Sequence, residues 1–198
     1  MIDHAVGQIT ECLKNNDLSE NTVIIFTSDH GDCLTDHGHS QKWTMFEKIT
    51  RVPLIFSGVG IQKNQRIEEL VQWMDVGPTI LDLAQCDSPS GMEAVSMLPA
   101  VMGDSWNGRD YLFCEQVGDM VLTDAKFMSM IRSKTWKLVH FLDATEGQMY
   151  NLVNDPTEQQ NLWNSADYEK QKQSLLIELL NWRVKSQLEH SNCWIYQN

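Results

Sequence analysis

The chain has 198 residues, 42% hydrophobic and 21% charged, an ordinary globular balance that argues against intrinsic disorder. Lysine and arginine number 15 against 27 aspartates and glutamates, and the net charge of −12 argues against a basic face for nucleic acid. No apolar run approaches the roughly 18 residues of a membrane span, and the first residues, MIDHAVGQIT, lack the basic start of a secretory signal.

Taken in chain order, residues 2–14 predict an amphipathic helix, with Ile2, Val6, Ile9 and Leu13 at helical spacing and Asn15-Asn16-Asp17 ending it. The unbroken β-branched run from Thr22 to Thr27 predicts a strand covered on both faces, as in an α/β sheet. A polar loop of more than twenty residues follows, then a short strand from Val52 to Phe56. Asp75 reads as the N-cap of a helix to residue 84, with Pro78 in its first turn and Ile80, Leu81 and Leu83 turned inward. From about residue 110 the pattern becomes four short strands, 111–115, 126–132, 135–140 and 148–152. Ser133-Lys134 is a tight turn between the middle two, so that sheet is expected to be antiparallel. A helix from about 167 to 187 closes the chain, its inner stripe being Tyr168, Leu175, Leu179 and Trp182. Two units are expected, residues 1–105 and 106–198. The cysteines at 12, 33, 86, 114 and 193 are odd in number and irregularly spaced, and they read as free thiols. Free thiols slightly favour a reducing, cytoplasmic compartment and otherwise leave localisation open.

The segment from Thr27 to Lys42 carries the chemistry. It begins where a buried strand ends, the place at which open α/β sheets bind ligands. It holds His30, His37 and His39, three of the six histidines, together with Asp29, Asp32 and Asp36. Carboxylate with imidazole suits a divalent cation, hard oxygen ligands drawing Mg or Ca and nitrogen drawing Mn or Zn. Gly31 and Gly38 let the backbone turn beside an ion, and Lys42 supplies a compact positive charge for an anion. His37 and His39 read as loop-packing or solvent-facing groups.

The motifs Asn21-Thr-Val-Ile-Ile-Phe-Thr-Ser-Asp-His-Gly-Asp32, Asp36-His-Gly38, Lys42, and Glu47 with Thr50-Arg-Val-Pro-Leu-Ile55 follow one another in order. Asp75-Val-Gly-Pro-Thr-Ile-Leu-Asp-Leu-Ala84 and Met149-Tyr-Asn-Leu-Val-Asn-Asp-Pro-Thr-Glu-Gln-Gln-Asn-Leu162 continue the series. Together they resemble the sulfatase family of the alkaline-phosphatase superfamily. The Asp-His form of the pair is nearest to choline-sulfatase-type and phosphonate-monoester-hydrolase-type members. The resemblance implies the C-terminal part of an alkaline-phosphatase-like α/β/α sandwich, followed by a small antiparallel sheet packed with a long helix. It implies that Asp29 and His30 bind a divalent cation (Ca, Mg, Mn or Zn) and that Lys42 contacts the ester oxygens and nucleophile. Trp43 departs from the small residue often found after that lysine. Tyr150, Leu152, Asp155, Pro156 and Glu158 read as structural: inward strand residues, a turn, and the start of a short helical turn. Arg51 and Glu47 read as braces of the loop.

The resemblance also implies a formylglycine nucleophile, made from the Cys or Ser of a Cys/Ser-x-Pro-x-Arg motif, and an early Asp-Asp pair of metal ligands. Neither is present; Cys86-Asp-Ser-Pro-Ser90 has its proline one place late and no arginine. In the family both precede the Asp-His strand, so this chain is expected to be a C-terminal portion, inactive alone, of a metal-dependent sulfuric-ester hydrolase. A phosphodiester or phosphonate monoester hydrolase portion and a non-catalytic binding module are the alternatives. The expected partner is a sulfate- or phosphate-ester small molecule, with no nucleic acid and no membrane, and a homo-oligomer is expected through the edge of the first strand.

Overall fold

A computed structural model describes residues 1–118 and 124–195, and side chains to residue 188. The apolar stripe at the start forms α1 (Ile2–Asn15), ended where Asn16 folds its backbone and side-chain N–H groups onto the Cys12 carbonyl. Next, β1 (Val23–Thr27) pairs antiparallel with β2 (Leu54–Gly58), Val23 opposite Gly58 and Thr27 opposite Leu54. The loop between them carries the single turn α2 (Glu47–Thr50). After a 3-10 turn at Trp73–Asp75 come α3 (Val76–Leu83) and the short α4 (Leu98–Met102). The chain then builds a meander of β3 (Leu112–Val117), β4 (Phe127–Arg132), β5 (Trp136–Phe141) and β6 (Gly147–Asn151), and ends in α5 (Glu169–Ile195). The expected mixed α/β class, antiparallel second sheet and long closing helix are all present.

The meander is the spine of the molecule, because alternate residues of each strand are buried on opposite faces. On one face Ile131, Leu138 and Met149 meet Leu175 and Leu179 of α5 and Trp163, with Tyr168 and Trp182 packed around them. The stripe expected on the helix is the one it uses. Phe113 stacks on Trp182 with centroids 4.6 Å apart. Gly147 is required here, since a Cβ at that position would lie 2.4 Å from the Trp163 ring. On the other face Met128, Met130 and Val139 pack on Met45, while Tyr150 packs on Cys33, Phe46 and Ile49. The long polar loop is therefore clamped onto the sheet by its own few apolar residues.

Lys137 sits in the middle of β5 on this second face and is 0% exposed. Its ammonium lies 3.0 Å from the Glu47 carboxylate and 2.9 Å from that of Glu158. Glu47 also receives the Arg132 guanidinium at 3.2 and 3.3 Å, and Glu158 accepts the Glu47 N–H at 2.7 Å. Burial pushes the Glu47 carboxyl upward, but the Lys137 and Arg132 charges outweigh it and hold the group below its ordinary 4.5.

Four local expectations are corrected. The run at 22–27 forms a strand over residues 23–27, but all five are only half-buried, because among the described residues it pairs with β2 alone and α1 buries nothing. Asp75 does not use its side chain as a cap for α3. It is fully buried and accepts the N–H groups of Gln72 and Val95 and the Arg109 guanidinium. Ile80 is exposed, while Leu81 and Leu83 are half-buried and the fully buried residues of α3 are Pro78 and Thr79. Glu158 starts no helical turn; it takes a left-handed φ of 57° and turns its carboxylate inward to Lys137. Cys12, Cys33, Cys86 and Cys114 are free thiols, and the Cys193 side chain lies outside the described residues.

Replacing Lys137 leaves two buried carboxylates facing one another. Lys137→Met is expected to lower unfolding stability by about 3–5 kcal/mol in urea titrations; a loss below about 1 kcal/mol would show that the pair carries little. The depressed Glu47 carboxyl also fixes a sign for pH. The unfolded chain takes up that proton first, so the contribution is complete above about 4.5 and is lost as pH falls through the lower folded value. Urea midpoints between pH 6 and pH 3 are expected to fall less steeply in Glu47→Gln than in the parent chain.

Candidate functional site

The site begins where β1 ends. Ser28 donates its hydroxyl to the His30 carbonyl at 2.8 Å, and the His30 N–H bonds Asp29 Oδ1 at 2.9 Å. These two bonds turn the chain sharply and bring both side chains to one point, with His30 Nε2 3.5 Å from Asp29 Oδ2. The same turn brings His30 Nδ1 to 2.7 Å from the Gly31 carbonyl oxygen. A carbonyl can only accept, so Nδ1 carries a hydrogen, and in the neutral form of the ring the lone pair lies on Nε2. Asp29 is held below the usual carboxylate range chiefly by the His30 N–H, with the His30 and Lys42 charges adding to the effect.

Gly31 is the hinge of this arrangement. Its N–H bonds the Ile49 carbonyl at 2.9 Å, and a Cβ there would lie 1.8 Å from the Lys48 carbonyl oxygen. No other residue lets the loop pass so close to α2. Beyond it, Asp32 Oδ1 accepts the N–H groups of Leu34 and Gln41 at 2.8 and 3.2 Å, closing residues 32–41 into a compact hairpin-like loop. Leu34, Thr35, His37 and Gln41 all take positive φ, a strain that the Asp32 bonds and the apolar anchors offset. His37 lies flat on Phe46 at 3.8 Å and Lys48 pairs with Asp36 at 3.4 Å, so His37 and Asp36 serve the loop's packing.

Lys42 follows the loop. It is exposed, its ammonium sits 5.8 Å from the Trp43 ring centroid, and the Trp43 ring is oriented by an N–H bond to Gln41 at 3.2 Å. Asp29, His30, Lys42, Trp43, Glu47 and Arg51 line one open cleft of about 1090 Å³ between the first strands and the meander. The donors at Asp29 Oδ2 and His30 Nε2 suit a divalent cation in chemistry and direction. Among the described residues no third His, Cys, Asp or Glu joins them in a metal-holding cluster. The pairing of Glu158 with Lys137 has no sign in the local sequence, since a charged residue at a strand centre or after a proline turn gives no indication of burial.

The later motif residues are structural throughout. Asp155 accepts the N–H groups of Gln159 and Gln160 at 3.1 and 2.8 Å. Asn161 bonds the backbone of Met149, Trp163 and Gly147, stitching the following turn to β6. Burial, with the nearby Glu158 and Asp155 charges, pushes the Tyr150 hydroxyl up to about 12.

Comparison with known proteins agrees with this architecture. A family described as "N-sulphoglucosamine sulphohydrolase, C-terminal" matches residues 35–185. The chain is 31% identical over 169 residues to arylsulfatase K of Canis lupus familiaris, covering 81% of this chain and 31% of the relative. It thus spans about a third of that relative's length. It superposes with a TM-score of 0.82 and 27% identity on a protein solved in complex with its substrate D-glucosamine-2-N,6-O-disulfate, covering 94% of this chain and 39% of the other. Phosphonate monoester hydrolase of Agrobacterium radiobacter gives 0.84 and 26%, with 93% and 39% covered.

Gly31→Ala tests the local geometry. The clash with the Lys48 carbonyl is expected to cost about 1–3 kcal/mol of stability. It is also expected to shift the His30 ring resonances in NMR spectra, and unchanged His30 signals would show that the hinge does not position the pair.

Proposed function

This chain belongs to the sulfatase family whose C-terminal portion is matched above, and on that premise we propose that it supplies part of the active site of a metal-dependent sulfuric-ester hydrolase. The observation that carries the reading is the convergence of Asp29 Oδ2 and His30 Nε2, with Lys42 lining the same cleft. Asp29 and His30 are two ligands of a divalent cation, and the Gly31 carbonyl holds the imidazole in the tautomer that a ligand needs. Lys42 holds the ester oxygens and offsets the charge they gain as the bond to the leaving oxygen breaks. A bound cation would polarise those oxygens. Two ligands fall short of the six or so that hard cations prefer, so the remaining ligands and the nucleophile belong to residues outside this chain.

A phosphonate or phosphate monoester is the second reading, favoured by the likeness to phosphonate monoester hydrolase. Both ester types present tetrahedral oxyanions to the same cation and lysine. Among the described residues β1 pairs with β2 alone, and that open edge further supports self-association of the isolated 198-residue chain.

In the protein encoded by the complete reading frame, Asp29→Ala and His30→Ala are expected to lower bound metal and cut sulfate release by at least about a hundredfold. Lys42→Ala is expected to depress turnover comparably while metal content stays near that of the parent. Metal analysis beside sulfate and phosphonate ester assays decides it. Equal metal loss in all three would remove Lys42 from the anion. The 198-residue chain alone is expected to show no turnover above a Lys42→Ala control and to scatter light as a dimer or larger.

A further inference from the structure

The loop that carries Asp29 and His30 rests on one short element that does not hold itself in place. α2 is a single turn of four residues, Glu47–Thr50, too short to be stable alone. Phe46 at its N-cap brings no capping side chain. Apolar contacts of Phe46 and Ile49 press the turn onto Tyr150 and its neighbours. Such contacts are non-directional, so they fix neither the rotation of the turn nor its height on the sheet.

The directional bond comes from 111 residues further along the chain. Glu158 Oε2 accepts the Glu47 N–H at 2.7 Å, in the place of the absent cap. Its other oxygen, Oε1, accepts the Lys137 ammonium at 2.9 Å, so one carboxylate ties β5 to the first residue of α2. Glu158 is 3% exposed and holds its left-handed φ, a conformation that persists only where the surroundings over-determine it. Lower on the same turn, the Ile49 carbonyl accepts the Gly31 N–H at 2.9 Å, and Gly31 has no slack against the Lys48 carbonyl. A shift of α2 therefore moves Gly31, and with it His30, whose ring lies 2.7 Å from the Gly31 carbonyl oxygen.

We propose that Glu158 is a positioning residue for the cation site: its bond to the Glu47 N–H sets the seat of α2 and, through Gly31, the approach of His30 Nε2 to Asp29 Oδ2. This rests on reading Asp29 and His30 as cation ligands. Glu158 lies outside the cleft wall, touches neither ion nor ester, and takes no part in bond cleavage. Its two oxygens have separable jobs. The one facing Lys137 neutralises a buried charge and serves stability, whereas the one facing Glu47 serves geometry. With Lys137 replaced by methionine, a glutamine at 158 keeps an oxygen for the Glu47 N–H, and an alanine does not.

The protein encoded by the complete reading frame is tested by calorimetric titration with Mn²⁺ alone. Lys137→Met/Glu158→Gln is expected to bind Mn²⁺ within about threefold of the parent, and Lys137→Met/Glu158→Ala at least about tenfold more weakly. Glu158→Asp keeps the charge on Lys137 but is one methylene short of bridging both partners. It is expected to lose affinity in the same direction, and it serves if either double variant fails to fold by circular dichroism. Leu179→Ala, on the opposite face of the meander, lowers the urea midpoint and is expected to bind Mn²⁺ as the parent does. The His30 ring resonances, read without metal, are expected to shift in Glu158→Asp and in the alanine double variant but not in Leu179→Ala. Equal Mn²⁺ affinity in the two double variants, parental affinity in Glu158→Asp, or as large a loss in Leu179→Ala overturns the proposal. A parent that binds no Mn²⁺ refutes the cation reading instead. The ring resonances then decide alone: the expected pattern upholds the positioning of His30, and unshifted signals remove it.

Discussion

A lysine buried without solvent at the centre of a sheet must be neutralised, and the way Lys137 is neutralised organises this molecule. Taking an ammonium out of water costs several kcal/mol unless counter-charges sit at bonding distance. Here they come from two places far apart in the chain: Glu47 on α2, and Glu158 in the turn that follows β6. Because Glu158 also accepts the Glu47 N–H, the three groups close on one another across 111 residues of sequence. Removing any one leaves a buried charge, so α2 has a single docking position on the sheet.

That docking carries through to the chemistry. The far side of α2 accepts the Gly31 N–H at Ile49, and the residues just before Gly31 are Asp29 and His30. The position of the pair is thus set by the end of β1 on one side and by the lysine clamp on the other. Met45, Phe46 and Ile49 add apolar contact to the same docking, against Met128, Met130, Val139 and Tyr150. Strained backbone between Leu34 and Gln41 persists because both ends of the loop are held in this way. The result is a polar loop anchored on a methionine-rich sheet face, with its functional groups turned to a cleft rather than to the core.

Electrostatics divides the molecule into two regimes. Cations are few, and many are spent in pairs: Arg109 on buried Asp75, Arg132 and Lys137 on Glu47, Arg183 on Glu115. The cleft wall mixes both signs, with Lys42, Arg51, Arg66, Arg132 and Lys134 set among Asp29, Glu47, Glu68, Glu69 and Glu115.

Much of this was legible from residue order. The four short strand runs after residue 110 and the tight Ser133-Lys134 turn point to an antiparallel meander, and the stripe Tyr168, Leu175, Leu179 and Trp182 marks which side of the closing helix is covered. Asp29-His30 stands out because an apolar β-branched run ending in two adjacent ligand types is a local pattern, and Lys42 because it closes the same loop. The inward turn of Lys137, the left-handed Glu158 and the Asp75–Arg109 pair, 34 residues apart, left no local trace. Charged residues are written the same way in a sequence whether they face water or one another. Only the tertiary structure, by bringing distant segments within 3 Å, decides which charges are worth burying and so where the site loop is allowed to lie.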